Sequence, residues 1–371
     1  MKISFDAKRA TSNFTGLGNY SRTLIHNLQF YYPENEYLLY TPKLKQTQRY
    51  QKLYNHKLSR FIVPRNWLNR KFNTFWRTFL IGLLAAKQGV DVFHGLSGEL
   101  PFFLPASIRT IVTVHDLIFI RFPGYYKPFD RIIYKIKLIY ACKRADKIVA
   151  ISEQTKNDLI NYLHISPEKI TVIYQACDPA FRNLLATGEK DKICKRYNLP
   201  QNYALTVGTL EERKNILNLL KAFQLLPEKH KLVLVGRTTD YTHILKQYIV
   251  EFNLKARVLI LNDVSFKDLP AIYQSAQLFI YPSVFEGFGI PIEEALFSQV
   301  PVISSQGSCF AEAGGPDSIY VNHTDYQRLA DQIEKLSSND QKRAKMIRSG
   351  RIFAEKFMPA RLSAELMAVY T

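Results

Sequence analysis

Short runs of apolar and β-branched residues alternate with segments of helical periodicity along most of the chain. This alternation is typical of βαβ units around parallel sheets, and it predicts an α/β fold. The runs are apolar at successive positions, as expected for strands that are covered on both faces. In the first half of the chain, the predicted strands are residues 2–6, 91–94, 110–115, 147–151 and 169–174.

A polar, basic segment at residues 187–198 interrupts this pattern and is predicted to be a linker. A second series of strands follows it, at residues 203–208, 231–236, 258–261, 278–282 and 301–304. A chain of 371 residues has room for two cores. We therefore predict two doubly wound, Rossmann-like domains, at residues 1–186 and 199–356, with a final helix at 357–371 packing back on the first. Ligands of such sheets bind at the carboxyl ends of the strands.

The composition, with 47% apolar and 22% charged residues, is that of an ordinary globular protein. The cysteines are far apart and form no C-x-x-C pair, so neither a zinc site nor a disulfide framework is indicated: Cys142, Cys177, Cys194 and Cys309. Asp6 falls where a signal peptide would be apolar, and no apolar run of about 18 residues follows. We expect a cytoplasmic protein that does not span a membrane.

A glycine-bearing loop links the apolar strand at 278–280 to a helix, in the segment Y-P-S-V-F-E-G-F-G-I-P-I-E-E-A at residues 281–295. Such a loop presents backbone N–H groups to an anion, and the helix N-terminus adds a favourable dipole. Glu286 lies on the loop, and Glu294 lies three residues after Pro291. Periodicity alone favours a simpler interpretation, in which Glu286 is a solvated loop acid and Glu294 merely favours the first helical turn.

Glu286 and Glu294, separated by seven residues, resemble the E-x7-E motif of the retaining glycosyltransferases of family 4. The resemblance extends over nearly the whole chain, through F-D-A, G-L-G-N-Y, D-V-F-H-G, V-T-V-H-D, R-A-D-K-I-V-A-I-S and V-G-T-L-E-E-R-K-N. It implies the GT-B fold, in which two Rossmann-like domains face a central cleft. It also implies retaining, metal-independent transfer of a hexose from a nucleotide diphosphate sugar to a glycan or lipid-linked acceptor in cell-surface polysaccharide synthesis. A loose likeness of the last segment to mannosyltransferases favours a mannose-type donor.

The resemblance also implies roles for individual residues. Glu286 is expected to stand free on its loop and meet the sugar, and Glu294 to bind the ribose. His115 would hydrogen-bond the transferred sugar, and Lys214 with Arg213 would neutralise the leaving diphosphate. The remaining donor-binding positions are Gly16, Gly18, Gly208, Gly287, Phe288, Gly289 and Ile290. His94 is expected near the acceptor, and Asp116 in a loop or capping role.

Simpler roles stay open for several of these residues. Glycines such as Gly16 and Gly18 also serve plain turns, and a histidine at a strand end is often a structural hydrogen-bonding group. Two cations beside a helix start are repelled by its dipole unless an anion lies between, and a bound diphosphate would be that anion. The simpler alternative is a solvated basic pair. Many relatives carry an arginine where this chain has Thr209, so Lys214 is the firmer assignment of the two cations.

Cations and oriented amides stabilise a departing diphosphate without a metal ion. The chain places no D-x-D motif where it would bind a metal-bound diphosphate, so no metal or other cofactor is expected. Glu286 is expected to bind the sugar and stabilise charge, while front-face attack, with the departing phosphate taking the acceptor's proton, accounts for retention.

The formal net charge of +18 favours an anionic partner. Residues 37–90 contain eleven Lys or Arg and no Asp or Glu. We expect the first domain to dock on the anionic inner face of the membrane through residues 43–71, from Lys43 to Lys71. A helical stripe within residues 72–84 is expected to be buried against the first sheet. Nucleic acid is not an expected partner, because the motifs of that class are missing.

Three other functions compete with glycosyl transfer. A nucleotide-sugar epimerase of the same fold would use the same cleft without an acceptor. A basic protein that binds nucleic acid or membrane without catalysis would explain the charge. A dinucleotide oxidoreductase is disfavoured, because no G-x-G-x-x-G follows the first strand.

Overall fold

The computed structural model describes residues 1–13, 15–44, 53 and 59–371. The chain divides into two compact units. Unit 1 comprises Met1–Ala176 together with Phe357–Thr371, and unit 2 comprises Cys177–Lys356. Each unit is built around one parallel sheet with helices between the strands, which confirms the predicted α/β class.

Among its described residues, unit 1 contains a seven-stranded parallel sheet in the order β3-β2-β1-β4-β5-β6-β7. Its strands are β1 (Lys2–Asp6), β2 (Glu36–Tyr40), β3 (Ser59–Ile62), β4 (Val92–Gly95), β5 (Arg109–Val114), β6 (Lys147–Ala150) and β7 (Ile170–Val172). The α-helices described before unit 2 are α1 (Lys8–Ser12), α2 (Gly16–Tyr31), α3 (Trp67–Lys71), α4 (Asn73–Phe75), α5 (Ile81–Lys87), α6 (Ile118–Arg121), α7 (Pro128–Arg144) and α8 (Glu153–Leu163).

Unit 2, in which every residue is described, has a six-stranded parallel sheet in the order β10-β9-β8-β11-β12-β13. Its strands are β8 (Tyr203–Val207), β9 (Lys231–Val235), β10 (Val258–Leu261), β11 (Leu278–Tyr281), β12 (Val302–Ser305) and β13 (Ile319–Val321). Its helices are α9 (Thr187–Arg196), α10 (Ile216–Leu225), α11 (Thr242–Glu251), α12 (Leu269–Gln274), α13 (Ile290–Phe297), α14 (Phe310–Gly314), α15 (Tyr326–Ser337) and α16 (Asp340–Ala354). The last helix of the chain, α17 (Pro359–Tyr370), belongs to unit 1.

Alternate residues of the unit 1 strands are buried on opposite faces of the sheet. One core contains Tyr40 and Phe93, and the other contains Phe5 and Tyr37. The second core also contains Tyr370, because α17 packs against α2. Both faces are therefore covered, as the continuous apolar strands predict.

The segment at 187–198 is not the linker that we expected. Residues 187–196 form α9, which packs on α12 within unit 2, and the unit boundary lies earlier, between Ala176 and Cys177. The segment is polar because most of α9 faces solvent, while Ile193 is its buried contact. One buried residue in ten is too weak a periodic signal to predict a helix from the sequence.

The helical stripe at 72–84 is also not uniformly buried. Trp76 is 2% exposed, whereas Phe72 and Phe75 are 57% and 54% exposed. A π-helical turn at Trp76–Leu80 lies in the middle of this segment. A π-turn inserts an extra residue and rotates the flanking helical faces, so a single 3.6-residue stripe does not persist through it. The Thr78 carbonyl within this turn accepts a hydrogen bond from the Phe102 amide at 2.7 Å.

Candidate donor site and its surroundings

The carboxyl ends of β8 and β11, which are neighbours in the unit 2 sheet, carry most of the predicted donor residues. Gly208 follows β8, and its amide donates to the Val235 carbonyl at 2.9 Å. A Cβ atom on Gly236 would lie 1.7 Å from the Gly208 carbonyl oxygen. Only glycine at 236 therefore permits the loop after β9 to pass this close to the loop after β8.

The E-E-R-K-N segment is positioned by a 3-10 turn at Glu212–Lys214 and by Asn215, which adopts a left-handed conformation with φ of 58°. The Asn215 side-chain amide donates to the carbonyls of Pro282 (3.1 Å) and His323 (2.7 Å). Asparagine tolerates this backbone conformation better than most residues. These bonds attach the turn to the end of β11, so the Lys214 side chain extends over that strand.

Glu286 is the centre of a compact cluster of ions. Its carboxylate accepts from the Lys214 Nζ at 2.5 Å and from the Arg213 Nη1 at 2.8 Å. The Ser283 hydroxyl donates to the same carboxylate at 2.7 Å, and the Lys214 Nζ also donates to the Tyr281 hydroxyl at 2.8 Å. Burial alone would raise the pKa of the Glu286 carboxyl, but Lys214 and Arg213 lower it to about 2. Glu286 is therefore ionised throughout the physiological pH range.

This arrangement differs from the expectation that Glu286 stands free on its loop. Its side chain is only 12% exposed, and its carboxylate is the anion between Arg213 and Lys214 that we had expected a bound diphosphate to supply. Arg213 also forms a 2.7 Å ion pair with Glu211. The Val284 amide donates to the Arg213 carbonyl at 2.9 Å, which brings the Glu286 loop onto the cations. This pairing joins residues about 70 positions apart and leaves no local pattern in the sequence.

The loop from Gly287 to Ile290 leads into α13, and Gly289 is the residue that caps this helix. Phe288 is 2% exposed, so its side chain belongs to the core. The Phe288 carbonyl accepts from the Cys309 thiol at 2.7 Å. The Cys309 thiol thus fixes the position of the loop backbone, and no local sequence pattern predicts this contact.

Glu294 lies on α13 as expected, but it is nearly buried. Its carboxyl accepts a hydrogen bond from the Tyr273 hydroxyl at 2.8 Å. Burial raises the pKa of Glu294 to about 8, with the Tyr273 bond lowering it and Asp178 raising it. The adjacent Glu293 is fully buried, and one of its oxygens accepts from the Cys177 amide at 2.8 Å. Burial raises the pKa of Glu293 well above its ordinary value.

A small indentation lies beside Lys214 at the ends of β8 and β11. Gly208, Thr209 and Ser283 are among the residues that line it. An ammonium group has three N–H donors, and two of those on Lys214 are used by Glu286 and Tyr281.

In unit 1, Gly16 and Gly18 belong to the first turn of α2 and not to a plain turn before it. Gly16 has open space around it. A Cβ atom on Gly18 would lie 1.8 Å from the Asn13 carbonyl oxygen, so this position needs glycine. The Asn13 side-chain oxygen accepts from the amides of Thr15 and Gly18, at 2.8 Å and 3.3 Å.

His115 follows β5, and both of its ring nitrogens have partners within unit 1. Nε2 lies 2.9 Å from the Leu96 carbonyl, and Nδ1 lies 3.1 Å from the Gln175 side-chain nitrogen. A carbonyl can only accept, so Nε2 carries the proton and Nδ1 accepts from Gln175. Burial lowers the pKa of His115 to about 4; the Leu96 bond opposes this change and the charge of Arg9 adds to it. Both nitrogens of this neutral ring already have protein partners, whereas we expected His115 to hydrogen-bond the transferred sugar.

His94 is a core residue and does not line a surface. It is fully buried, and its nitrogens lie 2.7 Å from the Tyr370 hydroxyl and 2.8 Å from the Thr113 hydroxyl. Burial lowers the pKa of His94 to about 3. The expected position near an acceptor is therefore wrong, because β4 is a central strand covered on both faces. Asp116 accepts from the Ile118 amide at 3.0 Å, in keeping with its expected loop role.

The described residues contain no group of three or more His, Cys, Asp or Glu side chains arranged to bind a metal ion. Among the same residues, no helix combines the length and the apolar character needed to cross a bilayer.

The two units match two families of known proteins. Residues 15–181 match the family described as Glycosyltransferase Family 4, and residues 189–353 match the family described as Glycosyl transferases group 1. Together these matches span most of both units.

Two bacterial relatives are similar in sequence to the chain. It is 31% identical to the O-antigen chain mannosyltransferase RfbU of Salmonella typhimurium, over 63% of this chain and 63% of the relative. It is 30% identical to the O-antigen chain mannosyltransferase B of Escherichia coli, over 67% of this chain and 66% of the relative. The chain thus spans slightly less than two thirds of the length of each.

Solved structures share the fold at low sequence identity. The Anabaena protein HepE, in a complex with UDP and glucose, superposes with a TM-score of 0.78 at 18% identity, covering 99% of this chain and 98% of that one. A glycosyltransferase from Rickettsia africae superposes with a TM-score of 0.77 at 18% identity, covering 100% and 97%. These superpositions extend over both units and confirm the two-domain, Rossmann-like GT-B fold.

Proposed function

Because this chain belongs to the group 1 glycosyltransferases, we propose that it transfers a hexose from a nucleotide diphosphate sugar to a glycan or lipid-linked acceptor in cell-surface polysaccharide synthesis. The observation that carries this proposal is the cluster of Lys214, Arg213 and Glu286 beside an indentation at the ends of β8 and β11. Ligands of parallel sheets bind at this edge. The names of the two bacterial relatives favour mannose as the sugar.

Lys214 has the central role in this proposal. Its remaining N–H group donates to the diphosphate of the donor, and Arg213 adds a second positive charge close by. Glu286 holds both cations in place, because it pairs with each of them. Preorganised charges of this kind stabilise a leaving diphosphate as the bond to the sugar breaks, and they cost no rearrangement at that moment. Transfer is accordingly metal-independent in this proposal.

The same cluster favours front-face attack over a covalent intermediate. A carboxylate with a pKa of about 2 and two cationic partners is a weak nucleophile and a weak base. Glu286 therefore stabilises charge and contacts the sugar, while the departing phosphate takes the proton of the acceptor hydroxyl. Retention of configuration is the outcome of this route.

A screen of nucleotide sugars tests the proposed activity. GDP-mannose, UDP-glucose, UDP-galactose and UDP-N-acetylglucosamine would be compared by thermal shift, because a bound donor stabilises the fold by mass action. Donor hydrolysis and transfer would then be assayed with the stabilising donor. Formation of a glycosidic product supports the proposal, whereas epimerised sugar without transfer, or no turnover of any donor, would refute it.

Activity that is lost in excess chelator and restored by Mg²⁺ or Mn²⁺ would contradict metal independence.

We also propose that unit 1 associates with the anionic inner face of the cytoplasmic membrane. Part of the predicted docking segment, residues 45–52 and 54–58, lies outside the described residues. At its described end, Trp67 and Leu68 are 68% and 57% exposed, next to Arg70 and Lys71. Exposed aromatic and basic side chains suit the interface of a bilayer with anionic lipids.

A further inference from the structure

A second concavity lies in unit 1, where α2 and α17 cover one face of the sheet, and it is partly open to solvent. The sheet contributes Val149 of β6 and Ile173, which follows β7. The lining positions on α2 run from Tyr20 to Leu28 and recur every three or four residues, so they share one face of the helix. They extend over about 12 Å at 1.5 Å per residue. We name this elongated site the α2–α17 groove.

The walls of the α2–α17 groove are largely apolar. Leu24 and Leu28 line it from α2, and Leu362 and Leu366 line it from α17. Among the described residues that line the groove, none has a charged side chain. Burying a charged group without a partner costs far more than burying a neutral polar group. The groove therefore favours an uncharged ligand.

Two buried polar side chains interrupt these apolar walls. Asn27 of α2 is 8% exposed and Ser363 of α17 is 5% exposed, and both line the groove. Within the described part of the chain, neither the Asn27 amide nor the Ser363 hydroxyl forms a hydrogen bond with another protein group. Most buried polar side chains in proteins are paired. Two unpaired groups that line the same groove therefore indicate a ligand that pairs with both.

These polar groups identify the chemistry of the ligand's head group. A carboxamide and a hydroxyl each donate and accept hydrogen bonds, so they pair best with a neutral group that does both, such as an alcohol or a primary amide. The Tyr20 hydroxyl already pairs with the Thr113 hydroxyl at 3.0 Å, so the Tyr20 ring offers the groove an apolar surface. The long, apolar remainder of the groove suits a single alkyl chain.

We infer that the α2–α17 groove binds a neutral amphiphile, an alkyl chain that carries one alcohol or amide group. The head group pairs with Asn27 and Ser363, and the chain lies along Leu24 and Leu366. Such a ligand contacts α2 and α17 together, and so it holds the last helix of the chain on unit 1. The inference does not depend on the proposed glycosyl transfer, because the groove shares no residue with the indentation beside Lys214.

Ligands that share one chain and differ in their head group test the assignment. Octanamide, 1-octanol, octanoate and octylamine would be titrated calorimetrically into the full chain at pH 7, with butanamide as the short-chain comparison. We expect a neutral octyl ligand to bind at least tenfold more tightly than either charged one, because the groove offers a charge no partner. Octanamide should also bind at least tenfold more tightly than butanamide, since each methylene that leaves water strengthens binding by roughly fourfold. Absence of binding by both neutral octyl ligands, or equal affinities for neutral and charged head groups, would overturn the assignment.

Two variants test the polar contacts. Asn27→Leu and Ser363→Ala should each weaken the better neutral ligand by about three- to tenfold, because each removes one hydrogen bond to the head group. Neither variant should lower the melting temperature of the ligand-free chain, since each removes a buried polar group that the protein leaves unpaired. The matched controls are Asn161→Leu at an exposed position of α8, and Ser349→Ala on α16, whose hydroxyl bonds within its own helix at 3.0 Å. Unchanged affinity in both Asn27→Leu and Ser363→Ala would refute the α2–α17 groove as the site.

A competition experiment separates the α2–α17 groove from the donor site. The better neutral ligand should still bind in the presence of excess GDP-mannose or UDP-glucose, and it should raise the melting temperature of the natural chain more than that of Asn27→Leu. Displacement by a nucleotide sugar would place the amphiphile in the donor site and overturn the assignment. Absence of glycosyl transfer from every donor, with the expected pattern of amphiphile binding, would refute the proposed function and leave this inference standing.

Discussion

Lys214 donates to the Glu286 carboxylate and to the Tyr281 hydroxyl, and it faces the small indentation at the end of β8. Lys214→Ala should lower kcat/KM by an amount that corresponds to about 2–4 kcal/mol of lost transition-state stabilisation, because the leaving diphosphate loses a positioned cation. The fold should survive, since Glu286 keeps its ion pair with Arg213. Steady-state kinetics and a melting curve check both points, with Lys221→Ala on α10 as the control. Nearly unchanged kcat/KM in Lys214→Ala would refute the role.

Glu294 makes unfolding depend on pH in a characteristic way. Its carboxyl ionises near 4.5 in the unfolded chain but only near 8 in the folded one. Between these values the unfolded state releases its proton first, so the free energy of unfolding falls as the pH rises. Glu294→Gln removes this titration and should gain stability relative to the natural chain between about pH 5 and 9. Denaturant unfolding at pH 5, 7 and 9 measures the difference, and parallel curves would contradict the prediction.

Individual positions were easier to predict than their contacts. The E-x7-E spacing correctly placed Glu286 on a loop after β11 and Glu294 on the following helix. It did not show that Glu286 forms an ion pair with Lys214 or that Glu294 accepts a hydrogen bond from Tyr273, because those partners are remote in sequence. Tyr281 and Ser283 stood inside the same motif and could have been considered, whereas no local signal pointed to Gln175 beside His115.

At the level of secondary structure, the loops after β8 and β9 approach each other at Gly208 and Gly236. Gly236→Ala should displace the Gly208 loop and destabilise unit 2 by about 1–3 kcal/mol, because its new methyl group would overlap a backbone carbonyl. Donor binding should weaken along with it. Gly188→Ala on α9, where nothing lies within 4 Å, should instead be neutral or stabilise by up to about 1 kcal/mol. Equal melting temperatures for the two variants would contradict this account.

The elements that the sequence failed to predict lie mostly at sheet edges. β3 is an edge strand with exposed and half-exposed positions, and β13 has only three residues. Neither produces the continuous apolar run by which the central strands were predicted. β2 is fully apolar after Glu36 and could have been predicted as a strand. It lies at the start of the acid-free segment at residues 37–90, which we interpreted by its positive charge and not by its apolar pattern. Central strands such as β1, β5 and β11 were predicted to within one residue at each end, since burial on both faces restricts their composition.

For the molecule as a whole, the membrane proposal predicts that the chain binds vesicles in proportion to their anionic lipid. Arg70→Gln combined with Lys71→Gln should lower the partition coefficient at least tenfold, since each cation near the surface contributes about 1 kcal/mol. Trp67→Ser should weaken binding further, because it removes an exposed ring that lies 5.2 Å from the Lys71 Nζ. Co-sedimentation with and without salt measures both effects, since exposed charges are screened over about 10 Å at 0.1 M.

A matched control for this experiment lies in unit 2. Lys342→Gln combined with Lys345→Gln removes two exposed cations from α16 and the same total charge. We expect this variant to sediment like the natural chain. Equal losses in the two double variants would indicate a general charge effect and would contradict a docking surface on unit 1.

Unit 1 is completed only by α17, which returns to it after the whole of unit 2. Leu362, Leu366 and Tyr370 of this helix are buried in the same core as Phe5 and Tyr37. During synthesis on the ribosome, unit 2 is therefore the first of the two to have all its residues, although domains usually fold in order from the N-terminus. Unit 1 must wait with part of its core open until residues 357–371 emerge. A released chain truncated after residue 356 should accordingly yield a protease-resistant unit 2 and a protease-sensitive unit 1.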